Sequence, residues 1–140
     1  MSRKSLRRLL RAISAVPGLY SLIAFVCARR VHIDGWSMSP ALLPRDRALF
    51  DRLAYIRDRP RISDVVLARH PERDLRIVKR ITAVPGDSPG GRTLASGEYW
   101  LEGDNADGSS DSREFGPLSR HQLLARGWLV YWPEDHWRRL

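Results

Sequence analysis

Between Ala12 and Ala28 the chain runs for 17 residues without a charge, with Arg3, Lys4, Arg7, Arg8 and Arg11 ahead of it and Arg29 and Arg30 behind it. A bilayer core takes about 17 to 25 apolar residues as helix, so the run meets the lower limit. Pro17 and Gly18 interrupt it, yet membrane helices tolerate both where freed backbone groups find other partners, and residues 19–28 are strongly apolar. The expectation is a single-pass membrane helix. Five basic residues before the run against two after it put the amino terminus in the cytoplasm and the rest of the chain outside the cell (inner) membrane. Two other readings fit the same run: a removable secretory leader ending at the small residue Ala28, or an interfacial or buried helix.

After residue 30 the texture changes to short apolar stretches separated by turn residues, which reads as mainly β. Strands are expected at 31–34, 48–54, 65–69, 75–84, 98–102 and 128–132, with turn chemistry at Leu43-Pro44-Arg45-Asp46, Arg59-Pro60, Pro85-Gly86-Asp87, Ser88-Pro89-Gly90-Gly91 and Asp107-Gly108. Ser119 with Gln122 three residues later is a capping-box pattern. It predicts one short helix ahead of Leu123-Leu124, closed by Gly127. The 140 residues therefore divide into 1–30, a basic start with an anchor helix, and 31–140, one compact β-rich domain.

The formal charge of +8 and the isoelectric point near 10.7 favour anionic partners, either nucleic acid or lipid head groups, without choosing between them. Cys27 is the sole cysteine, which excludes a disulfide framework. His32, His70, His121 and His136 lack metal-ligand spacing, so no metal or other cofactor is expected.

Three segments carry the chemistry: Asp34-Gly35-Trp36-Ser37-Met38-Ser39-Pro40, then Arg76 to Asp87, then Gly103 to Gly116. A serine hydroxyl attacks a carbonyl only when a base removes its proton, and a lysine serves as that base only when neutral. An exposed lysine, with a pKa of about 10.4, is the wrong group, whereas burial disfavours the ammonium. Strand alternation sets Ile77, Lys79 and Ile81 on one face and Val78 and Arg80 on the other, giving Lys79 apolar neighbours. Without the other segments, Lys79 would read as a lysine guarding a sheet edge. Ser37 sits between Gly35 and Pro40, where a turn follows a strand; Ser39 is its rival as nucleophile.

Together, in this order, the segments resemble the type I signal peptidases. That family carries Gly-x-Ser-Met-x-Pro, then Lys-Arg with a Pro-Gly-Asp turn, then Gly-Asp-Asn followed by Ser-x-Asp-Ser-Arg and a glycine. A weaker fourth box, usually Gly-Asp before an apolar strand, is Ser63-Asp64-Val65-Val66 here. The resemblance implies a signal-peptidase-like β fold and a membrane-anchored serine endopeptidase, with Ser37, the serine directly before Met38, as nucleophile and Lys79 as general base. It further implies that the Ser37 N–H serves the oxyanion, that Ser109 orients the lysine with Ser110 as a one-residue alternative, and that Asp111 and Arg113 hold the site wall. Gly35 stands where some relatives carry a serine whose hydroxyl adds to the oxyanion hole. Ala41 replaces a usual threonine and Ser63 a common glycine.

The implied partners are a precursor or propeptide substrate and membrane lipid, with small side chains such as alanine flanking the cut and no nucleic acid. Oligomeric state is left open. The short span from Lys79 to Gly103 leaves no room for the extra β domain of large signal peptidases. Compact length, Asp-Ser-Arg-x-Phe-Gly-Pro at 111–117 and Val130-Tyr131-Trp132-Pro133 look like the small peptidases that mature nickel superoxide dismutase, and the third box also looks like the mitochondrial inner-membrane peptidases. Two rivals remain. One is a self-cleaving SOS-repressor-type protease, which lacks the third box. The other is a non-enzymatic basic membrane adaptor binding polyanions.

Overall fold

The computed structural model describes residues 3–16 and 18–140. Among the described residues, eight strands form one antiparallel arrangement: β1 (Arg29–His32), β2 (Arg47–Asp51), β3 (Val65–Arg69), β4 (Arg76–Ala83), β5 (Glu98–Glu102), β6 (Leu118–Ser119), β7 (Leu123–Trp132) and β8 (Arg138–Arg139). The spatial order is β1-β2-β7-β3-β4-β5-β6, with β8 beside β7. The fold is mainly β, as expected.

The inner strands read as continuous apolar runs because both faces of the sheet are covered. In β3, Val65 and Leu67 join Ile33, Met38, Leu42, Phe50 and Val130 on one side. Val66 and Ala68 join Tyr55, Ile81, Tyr99, Leu101 and Leu118 on the other. Burying each large apolar side chain contributes about 1.5 to 3 kcal/mol, so these two clusters hold the sheet.

Three expectations change. The strand predicted at 48–54 stops at Asp51, because its Oδ1 accepts the N–H groups of Leu53 at 2.8 Å and Ala54 at 3.1 Å. Those bonds turn the chain into a short helix, α3 (Ala54–Arg57). The helix predicted after Ser119 is absent. Its capping box does form, but it closes only a 3-10 turn at Arg120–Gln122, and Leu123 already opens the ten-residue strand β7. Leu123, Ala125 and Gly127 are buried on alternate positions, and β7 pairs with β2 on one edge and β3 on the other. Gly127 is a strand glycine at a close approach: a Cβ there would lie 3.2 Å from the Val65 Cβ and 3.0 Å from Leu140.

The amino-terminal run is likewise not one helix. α1 (Arg3–Ser14) and α2 (Leu19–Cys27) are separate, with Gly18 in the left-handed region at φ 79° ahead of α2. Among the described residues no helix is long and apolar enough to cross a membrane. Pro17, part of the predicted span, lies outside the described residues. The helix α2 rests on the sheet: the Tyr20 hydroxyl donates to Asp51 at 2.6 Å, and the Arg57 guanidinium lies 4.1 Å from the Tyr20 ring centre. Leu22, Phe25 and Val26 on α2 are exposed.

Candidate active site

Ser37 follows β1 in a tight turn: the Ser39 N–H donates to the Trp36 carbonyl at 3.0 Å and the Leu42 N–H to the Met38 carbonyl at 2.8 Å. Met38 is 2 % exposed and packs in the core, so the side chain directly after Ser37 anchors the turn. A Cβ at Gly35 would meet nothing within 4 Å, so space does not demand glycine there.

Lys79 is 4 % exposed. Ile77 and Ile81 pack against the cluster on its face of β4 while Val78 packs against the opposite one, as the alternation predicts. Burial pushes the Lys79 amine below its ordinary pKa; Asp111 pulls it back up and Arg113 pushes it further down.

The third segment joins these two parts. The β4–β5 ladder pairs Ile81 with Leu101 and Arg80 with Glu102, so the next residue of β4, Lys79, faces the start of the loop at Gly103. That loop grips the Ser37 turn through the Asn105 N–H, which donates to the Ser37 carbonyl at 3.0 Å. A Cβ on Gly103 would overlap both the Ser37 carbonyl oxygen and the Ser109 hydroxyl. Glycine is required there, and the three residues meet at one point. Arg80 fixes the same loop with a two-pronged pair to Asp104, at 2.8 and 2.7 Å.

Behind the loop stands Asp111, 1 % exposed. Its carboxylate accepts from the Ser109 hydroxyl at 2.7 Å, the Gly103 N–H at 3.0 Å, and Arg113 Nε at 2.9 Å and Nη2 at 2.7 Å. Burial alone would raise its pKa, but Arg113, Gly103 and Ser109 together outweigh that and hold the carboxyl below the ordinary carboxylate range. The predicted Asp111–Arg113 pair therefore exists. Ser109 spends its proton on Asp111 and keeps its oxygen lone pairs for accepting from an amine. Ser110, the alternative, is exposed and bonds to Glu114.

Ser37 and Lys79 line one open cleft of about 470 Å³, walled by residues 29–35 on one side and 76–79 on the other, with Met38 and Leu67 beneath. Such a pair, a hydroxyl and a buried amine of lowered pKa in one cleft, can perform acyl transfer.

Sequence reasoning missed one supporting cluster. Asp46 is 1 % exposed and binds the Leu43 N–H at 3.0 Å, His136 Nδ1 at 3.0 Å and Arg138 Nη2 at 3.2 Å. Arg138 Nε also donates to the Ala41 carbonyl at 3.0 Å. In the sequence Asp46 is one more turn residue, and its side-chain partners His136 and Arg138 lie about ninety positions away, so no local signal marks the cluster.

Comparison with known proteins finds relatives over most of the chain. The family model described as signal peptidase, peptidase S26, matches residues 6–88 and 89–132. The chain is 32 % identical to the mitochondrial ATP-independent inner membrane protease subunit 1a of Arabidopsis thaliana, covering 78 % of this chain and 73 % of that protein. It is 33 % identical to the mitochondrial inner membrane protease subunit 2 of Mus musculus, over 81 % and 71 %. It is 26 % identical to a signal peptidase I of Leptolyngbya laminosa, over 78 % and 70 %.

Proposed function

Because the chain belongs to the type I signal peptidase family, peptidase S26, we propose that it is a serine endopeptidase that removes amino-terminal leaders or propeptides from precursor proteins, with Ser37 as nucleophile and Lys79 as base. The observation that carries this reading is that Ser37 and the buried Lys79 share one cleft.

Neutral Lys79 takes the Ser37 hydroxyl proton as Oγ bonds to the scissile carbonyl carbon. The oxyanion that forms accepts from the Ser37 N–H. Protonated Lys79 then gives its proton to the departing amine as the peptide C–N bond breaks, leaving an ester on Ser37. Water, deprotonated by the same amine, hydrolyses that ester and regenerates the hydroxyl. Ser109 accepts from the lysine amine and sets its direction, while Arg113 balances the Asp111 charge that would otherwise favour the ammonium.

The cleft suits an extended peptide. β1 ends the sheet, and β5 pairs with β4 only from residue 80 onward, so both walls offer free strand edges. Ile33, Met38 and Val78 border the reacting end, which favours small side chains next to the cut.

The exposed Leu22, Phe25 and Val26 of α2, with the basic α1 beside them, seat the protein on membrane lipid. A protease that removes leaders from exported precursors works on the outer side of the membrane, which is where this reading sets the catalytic domain. Protease added to intact, wall-stripped cells then degrades the β domain; protection until lysis would put it in the cytoplasm.

The deciding experiment incubates the detergent-solubilised protein with a panel of precursors, secretory leaders and a nickel superoxide dismutase propeptide among them. Wild type cleaves at least one and Ser37→Ala cleaves none. Equal turnover by Ser37→Ala would overturn the assignment in favour of Ser39. No cleavage by either protein, with salt-sensitive binding to polyanions, would favour the adaptor reading.

A further inference from the structure

Three arginines, Arg29 and Arg30 on β1 and Arg76 on β4, line the end of the cleft away from Ser37. They come from both walls, so like charges face each other across the groove. Among the described residues, none of the three takes part in an ion pair. The carboxylate that does line the cleft, Asp34, lies toward Ser37 and sits 3.5 Å from His32. Burial, then the nearby Arg76 and Arg52 guanidiniums, push the Arg29 pKa below its ordinary value. A groove with this charge disfavours cationic side chains and rewards an anionic one.

We propose that Arg29 and Arg76, with Arg30 at the rim, form a subsite for an aspartate or glutamate of the precursor, about three residues from the bond that is cut. The spacing comes from β4: Arg76 precedes Lys79 by three positions, or about 10 Å at roughly 3.3 Å per strand residue, and an extended peptide alongside has the same rise. Guanidiniums converging from two strands match a carboxylate through paired N–H donors. The proposal rests on the protease reading of the same cleft and adds to it a preference that the apolar end alone cannot supply.

The test uses the full chain in detergent and matched peptides carrying alanines around the cut. A scanned position two to four residues away, on either side, holds Asp, Asn or Lys. Wild type processes the best Asp peptide about tenfold more efficiently than its Asn counterpart, the size of one charge-assisted hydrogen bond. The Lys peptide is the poorest of the three. Arg29→Gln with Arg76→Gln brings the Asp-to-Asn ratio close to one, and Arg76→Glu turns the preference toward the Lys peptide. Binding of the same peptides to Ser37→Ala, read by fluorescence anisotropy, ranks them in the same order and decides the inference even where no peptide is cut. Cleavage by wild type but not by Ser37→Ala, with no Asp preference at any position, overturns the subsite and leaves the protease reading intact. If the arginine variants instead lose only binding to phosphatidylglycerol vesicles, the arginines serve lipid phosphate and the subsite is wrong.

Discussion

The Arg138 guanidinium reaches the buried carboxylate of Asp46 at 3.2 Å and the Ala41 carbonyl at 3.0 Å, so the carboxy-terminal strand holds the loop that leads away from Ser37. Local bonds also hold residues 41–46: the Leu42 N–H donates to the Met38 carbonyl at 2.8 Å, the Arg45 N–H to the Ile33 carbonyl at 2.8 Å and the Leu43 N–H to the Asp46 carboxylate at 3.0 Å. The tail thus adds a side-chain hold from a remote part of the chain to the loop that follows the candidate nucleophile's turn.

Arg138→Gln leaves a carboxylate that is 1 % exposed with one cation fewer, which costs about 1 to 3 kcal/mol. The expected outcome is a lower Tm together with a fall in kcat that exceeds any change in KM, measured well below the new Tm. A variant with normal kcat would mean that the tail stabilises the fold without positioning Ser37.

How far the sequence foretold this architecture depended on where the determining contacts lie. Strands 65–69 and 98–102 stand where patterning puts them, because each is set by its own apolar residues. The Ser119–Gln122 capping box is real, yet the element after it is decided by β2 and β3 on either edge of β7, so a correct local signal led to the wrong element. Likewise the charge-free run 12–28 gave no sign that Tyr20 would bond to Asp51 and draw α2 onto the sheet. The candidate site was legible as three ordered segments, but the Asp46 cluster was not, its partners being remote in sequence.

The buried Lys79 links activity and stability to pH in the same direction. Its folded pKa lies below that of a free lysine, so cleavage rises with pH to a midpoint under about 10.4. Between the folded and unfolded values the unfolded chain holds the extra proton, and stability therefore rises with pH through that window. Lys79→Met abolishes cleavage, raises the Tm at neutral pH by about 3 °C and removes the rise toward alkaline pH. Activity climbing with a midpoint near 10, or an unchanged pH slope of Tm in Lys79→Met, would contradict a desolvated amine.

Ser109 and Ser110 are adjacent in sequence but differ in environment, which makes them separable. Ser109→Ala removes the donor to Asp111 and the acceptor proposed for Lys79, so kcat falls about 10- to 100-fold. It also lets the folded pKa of Asp111 rise. That group stabilises the fold above its unfolded pKa of about 3.9 and loses the contribution as pH falls through the folded value, so acid unfolding of Ser109→Ala begins at higher pH. Ser110→Ala touches only an exposed bond to Glu114 and leaves both kcat and the acid midpoint in place. The reverse pattern in kinetics and acid titration would move the role to Ser110.

Ser63 stands where the family resemblance puts a glycine, and its backbone explains why: its φ is 75°, in the left-handed region that a side chain disfavours. The position is held from both sides, since the Ser63 N–H donates to the Ile81 carbonyl at 2.8 Å and the Ser63 carbonyl accepts from Arg80 at 2.9 Å. Neither bond uses the side chain. Ser63→Gly relieves the strain, while the freer unfolded chain takes back part of the gain, leaving about 0.5 to 1 kcal/mol of net stabilisation. Ser63→Ala keeps the Cβ and gains nothing, so the difference between the two variants isolates the backbone contribution from any role of the hydroxyl. Denaturant unfolding of the pair measures it directly: Ser63→Gly has the higher midpoint at an unchanged slope. Equal midpoints would mean that the backbone at residue 63 is unstrained.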